Sequence, residues 1–152
     1  FMVGTLGDRA RHHNIILENG SPGFGGLALK TPVLTVFFTI AVFSAIGVPG
    51  LGSFSSELLV LMGVFPAHRL FTVAALVGIV ITAAYLLWMY RRVFLGKLNA
   101  DCENMTDLNL RERLALFPLV LLCFVIGFFP TPIIELSTST VMQTLLFLEG
   151  KK

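Results

Sequence analysis

Hydrophobic and polar positions divide the chain into long apolar runs separated by polar connections. The apolar runs lie within 32–65, 70–90 and 114–134, and each of the last two contains 21 residues without a charge. About 20 apolar helical residues are needed to cross a hydrocarbon core about 30 Å thick. The pattern therefore predicts an all-α membrane protein with three transmembrane helices.

Polar segments connect the runs and flank them. Residues 7–31 form a polar loop, and residues 91–113 form a second polar connection. The apolar residues 1–6 predict the end of a preceding transmembrane helix, and because the chain begins at Phe1 we expect the body of that helix upstream. The tail, 135–152, has apolar residues at helical spacing and predicts a short amphipathic helix at the membrane interface.

The first apolar run is too long for one straight span. Its 33 residues from 33 to 65 would measure about 50 Å at about 1.5 Å per residue. Four helix-breaking residues lie near the middle: Gly47, Pro49, Gly50 and Gly52. Proline removes a backbone donor and glycine loosens a helix, so we predict a broken helix with halves near 33–47 and 54–65. Thr31 and Pro32 form a helix start, with Thr31 as the N-cap.

Basic residues are distributed unevenly between the two sides of a protein with three crossings. The segment before the first span and the 91–113 connection share a side that holds eight of them: Arg9, Arg11, Lys30, Arg91, Arg92, Lys97, Arg111 and Arg113. The other side holds three: Arg69, Lys151 and Lys152. Because basic residues collect on the cytoplasmic side, we predict that 91–113 faces the cytoplasm or the mitochondrial matrix. The C-terminus is predicted to face the opposite compartment.

Composition supports lipid as the solvent and excludes several classes of function. The chain is 55% hydrophobic and 13% charged, whereas a soluble domain contains about 25% charged residues. A net charge of +2 is too small for a nucleic-acid surface. The two cysteines, Cys102 and Cys123, make neither a disulfide framework nor a four-ligand zinc site. Adjacent His12 and His13 lack further ligands and no cofactor-binding motif occurs, so we expect no metal or cofactor on this chain.

Glu57 is the candidate functional residue, because it is the only ionisable side chain in the first apolar run. Burying a charge at the centre of a spanning helix costs about 2.5–3.5 kcal/mol on insertion scales, and such residues commonly handle ions or protons. Glu57 also follows the helix break, where free backbone groups are tolerated if they line a cavity. The pattern predicts an ion or proton site. The alternative is an interfacial carboxylate that reaches the lipid headgroups.

A single carboxylate needs partners to move protons across a membrane. None of the three predicted spans contains a lysine or a histidine, so we expect the partners of Glu57 on helices outside this chain. Three serines lie beside the break: Ser53, Ser55 and Ser56. We expect their hydroxyl groups either to hold water or to bond the free carbonyls of the backbone.

Residues 44–59 resemble a signature of the antiporter-like, proton-pumping subunits of complex I, NADH:ubiquinone oxidoreductase. That signature reads small residue-Leu-Gly-x-Pro-Gly-Thr-x-x-Phe-x-Gly-Glu-Phe, and the matching residues are Gly47, Pro49, Gly50, Phe54 and Glu57. Sister subunits usually have lysine in place of Glu57, so the resemblance favours the branch called subunit 4 in mitochondria and subunit M in bacteria. Shorter stretches also resemble the family, at 4–9, 90–96, 107–112 and 127–130. The chain departs from the family's wider pattern at 51, 53, 55, 56 and 58 and resembles a divergent member.

The resemblance implies a place for this chain in a larger assembly. The chain would be the C-terminal third of the subunit, from the end of helix 11 through a broken helix 12 to helices 13 and 14. Glu57 would be the last proton-relay carboxylate, and the other relay residues would lie upstream of Phe1. FMN, iron–sulfur clusters and quinone would be bound elsewhere in the complex. The partners would be other membrane-arm subunits, including the chain with the missing helices, and membrane lipid, but no nucleic acid.

The sequence leaves alternatives open for the membrane in which the chain lies and for its function. We expect a multi-pass protein of the mitochondrial inner membrane, with the bacterial plasma membrane as the alternative. Besides complex I, a subunit of a multisubunit cation/proton antiporter and a structural membrane subunit without an ion path remain open.

Overall fold

The computed structural model describes residues 2–10, 23–98, 102–103, 105–132, 134–135 and 138, and within them it contains helices and no strands. Its elements are α1 (Met2–Ala10), a 3₁₀ turn (Leu27–Leu29), α2 (Pro32–Ile46), α3 (Gly52–Val64), α4 (Arg69–Phe94) and α5 (Leu110–Phe128). The predicted all-α class is confirmed. His12, His13 and most of the predicted C-terminal amphipathic helix lie outside the described residues.

The break between α2 and α3 contains three of the four predicted residues, Gly47, Pro49 and Gly50, while Gly52 is the first residue of α3. Gly47 has a φ of +80°, and its N–H donates to the carbonyl of Ser44 at 3.2 Å. The N–H of Val48 donates to the carbonyl of Phe43 at 3.1 Å. This pair of bonds is a Schellman ending, which satisfies two carbonyl groups at the carboxyl end of α2. Gly50, with a φ of +92°, then directs the chain into α3.

Among the described helices, α4 alone is both long and apolar enough to cross a membrane, while α2 and α3 are shorter apolar helices. It has 26 residues and continues one turn past the predicted end at Tyr90. Arg91 and Arg92 belong to this last turn, because positive side chains are favoured at the carboxyl end of a helix. The first four residues of the predicted 91–113 connection are therefore helical.

The start of α5 also differs from the predicted boundary, since it begins at Leu110 instead of residue 114. Asn109 and Glu112 form a capping box, in which the Glu112 carboxylate accepts the N–H of Asn109 at 2.7 Å. Such a box satisfies backbone donors that the first turn leaves unpaired. The sequence prediction assigned these residues to the loop because they are polar, and polarity alone does not separate a loop from a capped first turn.

The amino end of α2 is capped by Asp107, not by the side chain of the predicted Thr31. The Asp107 carboxylate accepts the N–H groups of Val33 and Leu34 at 3.0 and 3.1 Å. The Thr31 hydroxyl instead donates to the carbonyl of Leu27 at 3.0 Å, because Thr31 also closes the preceding 3₁₀ turn. Thr31 holds the N-cap position, but a residue from the distant 91–113 connection supplies the cap.

The environment of Asp107 favours its charged form. Burial by itself raises the pKa of this carboxyl group. The N–H groups of Val33, Leu108 and Leu34 donate to the carboxylate and lower the pKa, and the nearby positive charge of Arg113 lowers it further. The net pKa lies below the ordinary value for aspartate. Asp107 is therefore a negative charge at the positive end of the α2 dipole, where an anion is favoured.

Contacts at the end of the bundle where α2 begins join α1 to the start of α5, and the segment before α2 to the end of α4. The Arg9 guanidinium lies 2.6 Å from the Glu112 carboxylate and donates to the carbonyl of Thr106 at 3.0 Å. The N–H of Gly26 donates to the carbonyl of Leu95 at 3.3 Å. The segment before α2 and the connection between α4 and α5 therefore lie at the same end of the bundle.

The packed core lies at this same end, and the rest of the helix surface is largely exposed. The most deeply buried apolar side chains are Leu27, Leu34, Phe94, Cys102 and Leu108. The Phe94 ring stacks on Tyr90 at 5.2 Å and lies 4.7 Å from Phe38, and the Tyr90 hydroxyl is 2.8 Å from the hydroxyl of Thr39. Most large apolar side chains of α3, α4 and α5 are exposed, as expected for helices that lipid or neighbouring helices surround.

Candidate functional site

Glu57 lies in the second turn of α3, half-buried, with its carboxylate directed back to the helix break. A Cβ atom added to Gly47 would lie 2.6 Å from Oε2 of Glu57 and 3.3 Å from its carboxyl carbon. Position 47 thus needs glycine for two reasons, its positive φ and the space that the carboxylate occupies. The structure brings the candidate acid into contact with the first residue of the predicted break.

An open groove of about 240 Å³ runs from Glu57 between α2 and α4. It is lined by Ala45, Ile46, Glu57, Ala75, Gly78, Ile79 and Thr82. A second hollow of about 250 Å³ continues between α3 and α4, past Ser56 and Val60. Since a water molecule takes up about 30 Å³, the two spaces have room for several water molecules beside the carboxylate.

Within the described residues, no side chain forms an ion pair or a hydrogen bond with the Glu57 carboxylate. Buried polar groups normally have a partner from protein or from ordered water. A half-buried carboxylate that lacks a protein partner and faces a groove of this size is suited to hydrogen bonding with water.

The α4 wall of the groove was missed by the sequence prediction. Ala75, Gly78, Ile79 and Thr82 follow the i, i+3, i+4, i+7 spacing that places residues on one helix face. A Cβ at Gly78 would meet no atom within 4 Å, so this face leaves space beside α2 and α3. The sequence does contain a pattern that indicates this face, because small and polar residues recur at helical spacing among the large apolar residues of α4. Thr82 supplies the hydroxyl group on that face.

The serines beside the break have different surroundings. The Ser56 hydroxyl donates to the carbonyl of Ser53 at 2.8 Å, in the first turn of α3. Ser56 also lines the second hollow beside Glu57, while Ser53 and Ser55 are half-buried. This hydrogen bond favours the interpretation that the Ser56 hydroxyl bonds a backbone carbonyl. That the three serines hold water stays a prediction.

The opposite side of the break is closed by α5. A Cβ added to Gly127 would overlap the carbonyl of Gly50, and one added to Gly52 would lie 3.5 Å from the carbonyl oxygen of Cys123. The Phe128 ring covers Gly50, 3.5 Å from an added Cβ. The break is therefore packed against α5 backbone on one side and open towards α4 on the other.

Metal-binding chemistry has no support in the part of the chain that the structure describes. No group of three or more histidine, cysteine, aspartate or glutamate side chains is placed there to hold an ion. The expectation that this chain carries no cofactor stays a prediction.

Comparison with known proteins identifies the family to which the sequence is similar. The sequence model described as "NADH:quinone oxidoreductase/Mrp antiporter, TM" matches residues 4–82, which include the break and Glu57. NADH-quinone oxidoreductase subunit M of Rickettsia bellii is 34% identical over 146 residues, which cover 95% of this chain and 28% of that protein. Subunit M of Mycobacterium tuberculosis is 33% identical over 122 residues, which cover 80% of this chain and 22% of that protein.

A solved structure is similar in fold as well. A chain in the structure titled "Respiratory complex I from Thermus thermophilus with bound NADH" has a TM-score of 0.75 and 26% sequence identity. The similarity covers 85% of this chain and 26% of that one. The chain thus spans about a quarter of the length of the proteins it matches.

Proposed function

This chain belongs to the NADH:quinone oxidoreductase/Mrp antiporter transmembrane family, and from that premise we propose that it is part of the antiporter-like membrane-arm subunit of respiratory complex I. Its role is to contribute to proton translocation coupled to NADH oxidation and quinone reduction elsewhere in the assembly. The observation that carries the proposal is the position of Glu57, a half-buried carboxylate against a helix break with a groove beside it.

In this proposal the enzymatic activity, that of a proton-translocating NADH:ubiquinone reductase, belongs to the assembly. The matched relatives are more than three times as long as this chain, so other chains or segments supply the remaining proton-relay residues. FMN, iron–sulfur clusters and quinone are bound by other subunits. The partners are the other membrane-arm subunits, the polypeptide that carries the remaining helices, and membrane lipid.

The chain lies in an energy-transducing membrane, with the 91–113 connection on the cytoplasmic or matrix side and the C-terminus opposite. Eight basic residues against three support this orientation. The relatives named above are bacterial, which favours a bacterial plasma membrane. The mitochondrial inner membrane, expected from the sequence, is the other location, and cell fractionation distinguishes the two.

In the proposed mechanism Glu57 takes a proton from water in the groove beside α4 and later returns it to water. The carboxylate needs no protein partner for this exchange. Gly47 leaves the space in which its oxygens lie, and the Thr82 hydroxyl provides a second polar group in the groove. The small side chains of α4 keep the groove open.

The test is Glu57→Gln, which removes a proton carrier at nearly constant volume. In the assembled complex in proteoliposomes, we expect NADH oxidation to persist while the number of protons moved per electron falls. Glu103→Gln is the matched control, because Glu103 is an exposed carboxylate in the connection between α4 and α5, and we expect it to leave the ratio unchanged. An unchanged ratio in Glu57→Gln would refute the relay role, and loss of assembly would assign Glu57 to packing.

A cation/proton antiporter is the second candidate, because the family description names it beside the oxidoreductase. A native gel of gently extracted membranes, stained for NADH dehydrogenase activity, separates the two. Migration of this chain with the activity at high mass is the result expected for complex I. Migration in a smaller assembly without that activity would favour the antiporter or a structural subunit.

A further inference from the structure

The carboxyl end of α4 carries a basic pocket with an aromatic wall, which the proposed proton path does not use. The pocket has a volume of about 440 Å³ and is lined by Trp88, Arg91, Arg92, Leu95 and Gly96. The Arg92 guanidinium lies 5.4 Å from the centre of the Trp88 ring. Gly96 has a φ of +95°, and a Cβ there would meet no atom within 4 Å. The chain turns away after α4 and leaves the arginines accessible.

Neither arginine of this pocket has a carboxylate partner within the described residues. Two acidic groups at this end of the bundle are engaged elsewhere, since Glu112 pairs with Arg9 and Asp107 caps α2. The carboxyl end of a helix contributes only about half a negative charge. The pocket is therefore positive overall and favours an anion.

The position of the pocket along α4 corresponds to a membrane surface. The uncharged run 70–90 has 21 residues, which measure about 31 Å and match the hydrocarbon thickness. The arginines follow directly after this run, at the depth where tryptophan is also enriched. Trp88 is 52% exposed and Leu87 47% exposed, so an apolar surface leads from the pocket towards the membrane core.

We propose that this pocket binds the phosphate headgroup of an anionic phospholipid whose acyl chains lie along the exposed face of α4. Arginine binds phosphate through two parallel N–H donors, and the Trp88 ring orients Arg92 by a cation–π contact. Basic pockets beside membrane helices recognise such headgroups. A free phosphate would gain nothing from the adjacent apolar surface, which is why the lipid is favoured.

The double substitution Arg91→Gln and Arg92→Gln tests the proposal in the membrane assembly that contains this chain. After purification and lipid depletion, the assembly is titrated with phosphatidylglycerol that carries a photoactivatable acyl chain, and labelled peptides of α4 are quantified by mass spectrometry. One basic residue near an anionic headgroup strengthens binding about fivefold. We therefore expect half-saturation of labelling to require about 25-fold more lipid in the double variant.

Arg69 provides a matched control at the other end of α4. Its guanidinium lies 5.7 Å from the centre of the Phe65 ring, so it reproduces the arginine–aromatic pair without a second arginine beside it. We expect Arg69→Gln to leave the labelling unchanged. Replacing both pocket arginines by lysine keeps the charge but removes the paired donors, so we expect labelling between that of the unaltered protein and that of the double glutamine variant.

Three results would overturn the proposal. They are undiminished labelling in the double glutamine variant, equal labelling by a phosphatidylcholine probe, and displacement of the lipid by inorganic phosphate at similar concentration, which would indicate a free-anion site. If the double variant does not assemble, the single variants Arg91→Gln and Arg92→Gln carry the same test, with about fivefold weaker labelling each. Because labelling is measured and not proton transport, the result is independent of the function proposed for Glu57.

Discussion

Replacing Gly47 by alanine tests whether the Glu57 carboxylate must lie against the helix break. Gly47 has a φ of +80°, a conformation that costs about 1–2 kcal/mol for a residue with a Cβ. The new Cβ would also lie 2.6 Å from Oε2 of Glu57, well inside ordinary van der Waals contact. The flexible end of the glutamate side chain yields more readily than the backbone. We therefore expect a displaced carboxylate together with a loss of about 1–2 kcal/mol in stability.

The assay compares transport and stability in the same preparation. The assembled complex is reconstituted into liposomes, NADH oxidation and proton movement are recorded together, and thermal unfolding is measured on the same sample. In Gly47→Ala we expect fewer protons per electron although Glu57 is retained. Gly63→Ala is the matched control, because Gly63 lies in α3 and a Cβ there would meet no atom within 4 Å. Because Gly63 is the penultimate residue of α3, we expect the change to stabilise by less than the roughly 1 kcal/mol of a helix interior.

Two outcomes would refute this reasoning separately. A normal proton ratio with lowered stability would show that transport does not depend on the position of the carboxylate. Unchanged stability would show that Gly47 does not need its left-handed conformation. A double-mutant cycle with Glu57→Asp isolates the contact between the two residues. The shorter acid avoids the new Cβ, so Gly47→Ala should lower the proton ratio less in that background.

Two further predictions concern Asp107 and Thr82. Since the folded pKa of Asp107 lies below its ordinary value, its charge stabilises the fold above about pH 4 and the effect is lost as pH falls through the folded pKa. Asp107→Asn removes the negative charge at the amino end of α2 and should lower stability by about 0.3–1 kcal/mol at pH 7. It should also weaken the acid dependence of thermal unfolding, and an acid dependence equal to that of the unaltered protein would contradict a charged cap. Thr82→Val should lower the proton ratio less than Glu57→Gln does, and Thr82→Ser should preserve it. Equal ratios in the valine and serine variants would exclude a role for the hydroxyl.

The helix break could be predicted from the sequence because its causes are local. Gly47 and Gly50 adopt positive φ angles that glycine accommodates best, and the run was too long for a straight span. The capping box at Asn109 and Glu112 is local as well, and its spacing could have placed the start of α5 correctly. Local patterns thus determine where these helices end.

Contacts between residues on different helices could not be predicted from the sequence, because they depend on which helices pack together. Asp107 caps α2 from 74 residues away, and nothing near Thr31 indicates that another residue supplies the cap. Thr82 reaches the groove of Glu57 only because α4 packs beside α2 and α3. The periodicity of α4 defined a face of small residues but not the helix towards which that face is directed. Long-range packing therefore supplied what the sequence prediction lacked.

The close contact between Gly127 and the carbonyl of Gly50 has a consequence for how the break is hydrated. Backbone packs against backbone there, so water is excluded from the α5 side of the break. The grooves beside Glu57 open between α2, α3 and α4, so among the described helices they give water a route to the acid from the side of α4. An acid that water reaches from one side of the break has an inherent asymmetry, and a neighbouring helix that covers those grooves would control its contact with water on the side of α4.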